Sequence, residues 1–128
     1  MKFGYTIFYV KSVVETVEFY ERAFGLQRKF VHESEQYAEL DTGSTTLSFA
    51  SLEMGEFNKV PILSELPSNK SPAMEIAFVT DDVPAAYQKA IHSGAEPIAE
   101  PTQKPWGQTV CYVRDNNRFL VEICSPMG

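Results

Sequence analysis

Cysteine and histidine are scarce in this chain, and their scarcity removes several classes of chemistry. Among 128 residues there are two cysteines and two histidines. The cysteines, Cys111 and Cys124, are too few for a disulfide scaffold, and neither CxxC spacing nor a nearby histidine pair suggests zinc. No Ser-His-Asp set or phosphate-binding loop is recognisable. The sequence therefore gives no support to a disulfide-rich protein, a zinc finger or a triad hydrolase.

The chain also has few positively charged residues and no long apolar runs. Eleven Lys and Arg stand against 17 Asp and Glu, a net charge of -6. That charge opposes binding to nucleic acid or an anionic membrane and favours cationic or neutral ligands. No apolar run approaches the roughly 18 residues of a membrane span, and the start MKFGYTIFYVK lacks the design of a signal peptide. We expect a cytoplasmic protein with reduced thiols and no membrane or nucleic-acid partner.

The first half of the chain reads as a strand, a helix and three further strands. Residues 3–10 are rich in β-forming side chains. Ser12 to Glu15 match a capping box, and apolar residues then recur at helical spacing until Gly25, which predicts a helix. Three short antiparallel strands are predicted after it, at Gln27 to His32, Tyr37 to Asp41 and Thr45 to Ser51.

The second half repeats this order. Asp82 is a helix N-cap between a predicted strand and an apolar stripe that ends at Gly94, and a closing hairpin follows a short extended piece at 96–99. Offsets of 70 and 74 residues relate the halves, with Ser48 matching Glu122 and Asp41 matching Asp115, so we predict an internal duplication. The interpretation is one domain, 1–128, with βαβββ modules at 1–51 and 73–128. The connection, 52–72, reads as a surface loop with a possible helical turn near 62–66.

Glu122 is the most suspicious residue, because it interrupts an apolar strand where a lone charge must be paired, ligated or exposed to water. A turn centred on Asn116-Asn117 would pair residues whose numbers sum to about 233. That register places Cys111, Val113 and Cys124 on the face of Glu122, and Val110 and Tyr112 on the helix-covered face. The first-half hairpin similarly places Tyr37, Glu39, Ser48 and Ala50 on one face. A polar, partly wet sheet surface of this kind suggests a small-molecule site.

Three segments carry a family resemblance: an opening strand and capped helix ending FYERAFGL, then EIAFVTDDVPAAYQKAIHSGAEPI, and the end PWGQTVCYVRDNNRFLVEI. With these the chain resembles the vicinal oxygen chelate superfamily, which includes glyoxalase I, extradiol dioxygenases, fosfomycin resistance enzymes and bleomycin resistance proteins. The resemblance implies an α+β fold in which two βαβββ modules form a cup-shaped, mostly antiparallel eight-stranded sheet, usually in a homodimer.

Metal-using members of that superfamily place their ligands at four equivalent positions, which correspond here to Tyr5, Ser48, Glu75 and Glu122. Only Glu122 is a typical ligand in its usual place, and the departure weakens a glyoxalase or dioxygenase mechanism. The resemblance still implies a possible divalent ion, Mg, Mn, Zn or Ni, held by Glu122 and Glu75. Two carboxylates with water, and Glu39 as a further candidate, suit magnesium or manganese better than zinc.

The preferred hypothesis is a small-molecule-binding protein of the bleomycin resistance type, which sequesters a cationic or aromatic compound in an acidic cup. Glu75 and Glu122 would be its charged anchors, and tyrosines with Trp106 its walls. The alternative is a metal-dependent lyase or isomerase of glyoxalase type, or a dioxygenase-like enzyme, and a third reading is a dimeric scaffold without a ligand. The candidate ligand-binding residues are Tyr5, Tyr9, Tyr37, Glu39, Ser48, Glu75, Trp106, Cys111 and Glu122.

Overall fold

The computed structural model describes residues 1–127 and divides into two compact units, one from Met1 to Glu65 and one that begins at Leu66. Each unit contains one βαβββ module built around its own four-stranded mixed sheet. The predicted α+β class and the duplicated module order are confirmed. Across residues 1–127, no helix has the length and apolar character needed to cross a membrane.

Unit 1 packs one long helix on a sheet whose strand order is β1-β4-β3-β2. Strand β1 runs parallel to β4, and the other neighbours are antiparallel. Tyr20 and Phe49 are fully buried between helix and sheet, with ring centroids 4.9 Å apart. The elements are β1 Tyr5–Val10, α1 Val13–Phe24, β2 Gln27–Val31, β3 Tyr37–Asp41, β4 Thr46–Ser51 and α2 Leu52–Phe57.

Helix α1 begins and ends where local sequence predicts. The Ser12 hydroxyl accepts a hydrogen bond from the Glu15 amide at 3.2 Å and so caps an otherwise unpaired N–H group. Gly25 has φ 69°, the left-handed conformation that closes a helix without the steric cost a side chain would bring. The apolar stripe between them is buried against the sheet.

Unit 2 repeats the arrangement with the strand order β5-β8-β7-β6. Asp82 caps the helix by accepting from the Ala85 amide at 3.1 Å. The parallel strand pair has the same register in both units, because Ser48 opposes Ile7 and Glu122 opposes Ala77. The elements are β5 Glu75–Val79, α3 Val83–His92, β6 Glu96–Gln103, β7 Thr109–Arg114 and β8 Leu120–Cys124.

Two secondary-structure predictions were incomplete. The stretch predicted as a loop begins with α2, whose N-cap is the Ser51 hydroxyl accepting from the Met54 amide at 3.2 Å, and 62–66 forms no helical turn. The extended piece predicted at 96–99 is the start of β6, which continues to Gln103 through Pro101. Its prolines are tolerated because β6 is an edge strand with irregular register.

The predicted register of the closing hairpin was wrong by one residue. Tyr112 opposes Glu122, whereas Cys111 opposes Ile123. The turn is one residue longer than predicted, because the Asp115 amide bonds the Phe119 carbonyl at 3.0 Å and Arg118 takes a left-handed φ of 69°. A slip of one residue moves every side chain of a strand to the other face. Cys111 and Val113 therefore lie on the helix-covered face, while Val110 and Tyr112 share the face of Glu122.

The duplication also needs a local correction. Glu122 is 74 positions after Ser48, as predicted, but its cross-strand neighbour Tyr112 is only 73 positions after Glu39, the neighbour of Ser48. The closing hairpin is thus one residue longer at its turn than the hairpin of unit 1. Asp41 and Asp115 are consequently not equivalent positions.

Candidate functional site

The open side of the unit 2 sheet carries an acidic surface. Side chains of Glu75, Tyr112, Glu122 and Cys124 share this side, which we call the acidic face. The opposite side packs on α3 and is fully apolar at its centre, with Val113 and Val121 both 0% exposed. Strand alternation therefore separates the core of unit 2 from a polar surface carried by the same strands.

Tyr112 holds the Glu122 carboxylate in place. Its hydroxyl donates to Glu122 Oε1 at 3.0 Å from the directly opposing position on β7. Burial, followed by the hydrogen bond to Glu122, raises the pKa of Tyr112 to about 12. The phenol therefore stays protonated at neutral pH and serves as a donor that fixes the orientation of the acid.

Glu75 and Glu122 form a carboxyl pair that lacks a basic partner. The pKa of Glu75 is raised, first by desolvation of its carboxyl group and then by the negative charge of Glu122 and a hydrogen bond between the two groups. As a whole residue Glu75 is exposed, so this desolvation is local. Within residues 1–127 neither carboxyl forms an ion pair with Lys, Arg or His. The charge of each acid makes ionisation of the other less favourable, and a cation beside them would offset that repulsion.

The two cysteines lie on opposite sides of the sheet. Cys111 is 0% exposed among the core side chains, and burial raises its pKa to about 11. This placement contradicts its inclusion beside Glu122. Cys124 does lie on the acidic face, where burial and then a hydrogen bond with Glu122 raise its pKa. Both thiols are therefore held in the neutral form at physiological pH.

Unit 1 carries a hydrogen-bonded cluster at the corresponding place. The Tyr37 hydroxyl lies 2.8 Å from Glu39 Oε2 and 3.0 Å from Ser48 Oγ, and burial is the main cause that raises the pKa of Tyr37. Lys29 Nζ is 3.7 Å from Glu39 Oε1. Ser48 is 0% exposed. Glu39 thus already has a cation partner, whereas Glu75 and Glu122 have none among residues 1–127.

The remaining tyrosine candidates join this cluster on one face of unit 1. Tyr9 and Tyr37 both oppose Ala50, from strands on either side of β4, so all three side chains share a face, as the sequence predicted for Tyr37 and Ala50. Tyr5 follows the same alternation and is 56% exposed. These aromatic residues lie on the face that also carries Glu39, whose carboxylate has Lys29 as a cation partner.

Trp106 is an exposed aromatic held in a defined position. It is 63% exposed in the turn between β6 and β7, and its indole N–H donates to Gln108 Oε1 at 2.8 Å. The Gln108 amide in turn donates to the Ser125 carbonyl at 2.8 Å, just after β8. Gln108 was missed from sequence, since its role depends on contacts between the two ends of the hairpin.

The donor set does not fit the metal site that the superfamily implies. In the part of the chain that the structure describes, no three His, Cys, Asp or Glu side chains are placed to hold an ion. Tyr112 is a neutral donor directed at Glu122, which occupies one carboxylate oxygen. Two carboxyl groups fall short of the protein ligands that zinc or nickel sites usually require. The described residues therefore supply no complete set of protein ligands for zinc or nickel.

Comparison with known proteins agrees with this architecture. The sequence model of the glyoxalase-like domain family matches residues 3–128. The chain belongs to this family. It is also 27% identical over 120 residues to the uncharacterized protein YraH of Bacillus subtilis, covering 89% of this chain and 90% of that protein.

Solved structures of the glyoxalase/bleomycin resistance/dioxygenase superfamily share the fold. A glyoxalase-related enzyme from Fulvimarina pelagi superposes with a TM-score of 0.84 at 15% identity, covering 98% of this chain and 88% of that one. A glyoxalase/bleomycin resistance protein/dioxygenase family enzyme from Burkholderia phytofirmans superposes with a TM-score of 0.82 at 24% identity, covering 95% and 96%. At these identities the likeness concerns the fold alone.

Tyr112 is the second site residue that sequence reasoning missed, although a signal for it exists. Strand β7 ends Cys111-Tyr112-Val113-Arg114, where apolar and polar side chains alternate. That alternation alone assigns Tyr112 and Arg114 to the polar face. The predicted turn was one residue too short, and the register derived from it placed Tyr112 on the other face.

Proposed function

We propose that the protein binds a small cationic, aromatic compound on the acidic face of unit 2, with Glu75 and Glu122 as charged anchors. The observation that carries this proposal is a carboxyl pair without a basic partner among residues 1–127. An ammonium, amidinium or ring cation beside the pair would offset the repulsion between the two carboxylates and favour their ionised forms. The net charge of -6 adds long-range attraction for such a ligand.

Aromatic side chains support the proposal that the bound cation is also aromatic. Tyr112 lies next to Glu122, and Trp106 is exposed and is held through Gln108, so both are candidates for cation-π contact with a bound ligand. An aromatic side chain already fixed in orientation loses little conformational freedom when a planar ligand stacks on it. Sequestration of this kind needs no reaction. The glyoxalase-type lyase alternative would need ligands for an ion beyond the two carboxyl groups of Glu75 and Glu122.

The test is to measure binding of 9-aminoacridine, a planar cation at neutral pH, and of acridone, a neutral ring system of similar shape. We expect calorimetry at low ionic strength to show binding of the cation and at least tenfold weaker binding of acridone. Glu75→Gln and Glu122→Gln should each weaken the cation about tenfold, or about 1.4 kcal/mol. Glu100→Gln is the matched control, because Glu100 is an exposed acid on β6 of the same unit. Equal affinity in both site variants and the control would refute the anchors.

We also infer a homodimer as the working assembly. Strands β1 and β5 are edge strands, and they expose apolar side chains, with Ile7 43% and Val79 64% accessible. Exposed apolar edges of this kind favour pairing with a second copy. Light scattering should give twice the 14.4 kDa chain mass, and a single-chain mass across micromolar concentrations would argue against it.

A further inference from the structure

Two arginines of the closing hairpin hold the segment that precedes β5. Nη1 of Arg118 donates to the Leu66 carbonyl at 2.7 Å. Nη1 of Arg114 donates to the Ser68 carbonyl at 2.9 Å and lies 3.5 Å from the carbonyl between them. We call residues 66–70 the strap. It has no helix or strand of its own, and three of its successive backbone carbonyls contact the two arginines of the hairpin.

Arg114 depends on the strap for its hydrogen bonds. The residue is only 6% exposed, and its Nε–H is the one buried side-chain polar atom without an acceptor in residues 1–127. The nearest carboxylate oxygen, Glu96 Oε2, is 3.6 Å away, beyond good hydrogen-bond distance. A buried donor without an acceptor is unfavourable. The unsatisfied Nε–H group therefore raises the free energy of the closed strap, and opening would relieve this by letting water reach the guanidinium.

The strap lies at one end of the acidic face. Arg114 follows Tyr112 by two residues on β7, so both side chains point to the same side of the sheet, about 7 Å apart along the strand. Leu120 opposes Arg114 just as Glu122 opposes Tyr112. The strap carbonyls bonded to Arg114 consequently border the surface on which the carboxyl pair lies.

We propose that the strap is a gate for the acidic face, held closed by Arg114 and Arg118, and that its opening controls exchange of the bound compound. The inference rests on the proposed cation site and adds to it the element that limits access. Arg114 is here a positioning residue, since it acts through the strap rather than on the ligand. Segments without regular structure that are fastened by a few side-chain bonds open more readily than the sheet beneath them.

Limited trypsin digestion of the native protein tests the strap itself. Lys70 lies within the strap, and Lys59 offers a comparison in the same sequence context, Lys-Val-Pro against Lys-Ser-Pro. We expect Arg114→Met to accelerate cleavage after Lys70 at least tenfold and to leave cleavage after Lys59 unchanged. Arg28→Met, which removes an exposed arginine paired with Glu21, should change neither rate. An equal rise at both lysines would indicate global destabilisation, and no rise at Lys70 would show that Arg114 does not hold the strap; either result overturns the proposal.

Stopped-flow dissociation of 9-aminoacridine tests the gate. Arg114→Met should release the compound at least fivefold faster than wild type or Arg28→Met. Faster cleavage at Lys70 with unchanged release would overturn the gate, while the cation site would still be supported by the glutamine variants of Glu75 and Glu122. Failure of the compound to bind any variant would instead refute the proposed function, and digestion at Lys70 would still decide whether Arg114 holds the strap.

Discussion

Replacing Tyr112 with phenylalanine tests the corrected register and the electrostatics of the acidic face together. The change removes one hydroxyl, which donates to Glu122 Oε1 at 3.0 Å. Hydrogen bonds to charged groups contribute about 1.5–3 kcal/mol when buried. Both residues are only half-buried, so we expect about 1 kcal/mol, which for a chain of 128 residues corresponds to a fall in Tm of about 4 °C.

The assay is urea unfolding and thermal melting of the variant at pH 7, with Tyr87→Phe as the control. Tyr87 is a buried tyrosine on α3, and its hydroxyl has no hydrogen-bond partner in residues 1–127. Tyr112→Phe should lower stability clearly more than Tyr87→Phe. Equal effects of the two changes would refute the bond to Glu122, because the hydroxyl would then contribute nothing specific.

The pH dependence of stability is a second test of the environment assigned to Tyr112. In the folded protein the pKa of Tyr112 is raised to about 12, whereas an unfolded tyrosine ionises near 10. The unfolded chain therefore loses this proton first as pH rises, and stability from this group falls between about pH 10 and pH 12. Tyr112→Phe should remove that part of the decline. An unchanged slope over this range would contradict the assigned environment.

Three further outcomes follow. Because the pKa of Glu75 is raised above its usual value of 4.5, the stability of the wild-type protein should fall as pH rises above 4.5. Thermal melting of Glu75→Gln from pH 4 to 7 should show a smaller fall. An identical profile would contradict the pairing of Glu75 with Glu122. Ser12→Ala should cost about 1 kcal/mol in urea unfolding by removing the α1 cap, while Ser44→Ala, in an exposed turn, should cost little. Finally, Cys111 should resist Ellman's reagent under native conditions, because it is buried with a pKa of about 11, and rapid labelling would place it on the wrong face.

Local signals in the sequence were sufficient for most of the fold. The cap at Ser12, the stop at Gly25 and the alternation that groups Tyr37 with Ser48 depend on neighbours a few residues apart, and the structure confirms them. Such features are encoded by side chains that satisfy the backbone of their own segment. The offset of 70 residues between the two helix N-caps, Ser12 and Asp82, could be predicted because each cap is also a local signal.

Contacts formed between distant segments were not readable. The position of Tyr112 depends on the length of one turn, which the Asp115 carboxylate sets by accepting from the Asn117 and Phe119 amides at 2.8 and 2.9 Å. The bonds from Arg114 to the strap join residues more than forty positions apart, and no local pattern specifies them. The carboxyl pair was inferred from a family resemblance, and its lack of a basic partner required the structure.

The unequal hairpin turns bear on how the two halves of such a chain diverge after duplication. The turns of the two hairpins differ in length by one residue, and Glu39 stands beside Ser48 in one unit where Tyr112 stands beside Glu122 in the other. Insertions and deletions in exposed turns, which natural selection tolerates easily, thus offer a repeated fold a route to new binding chemistry that a comparison of site residues alone would overlook.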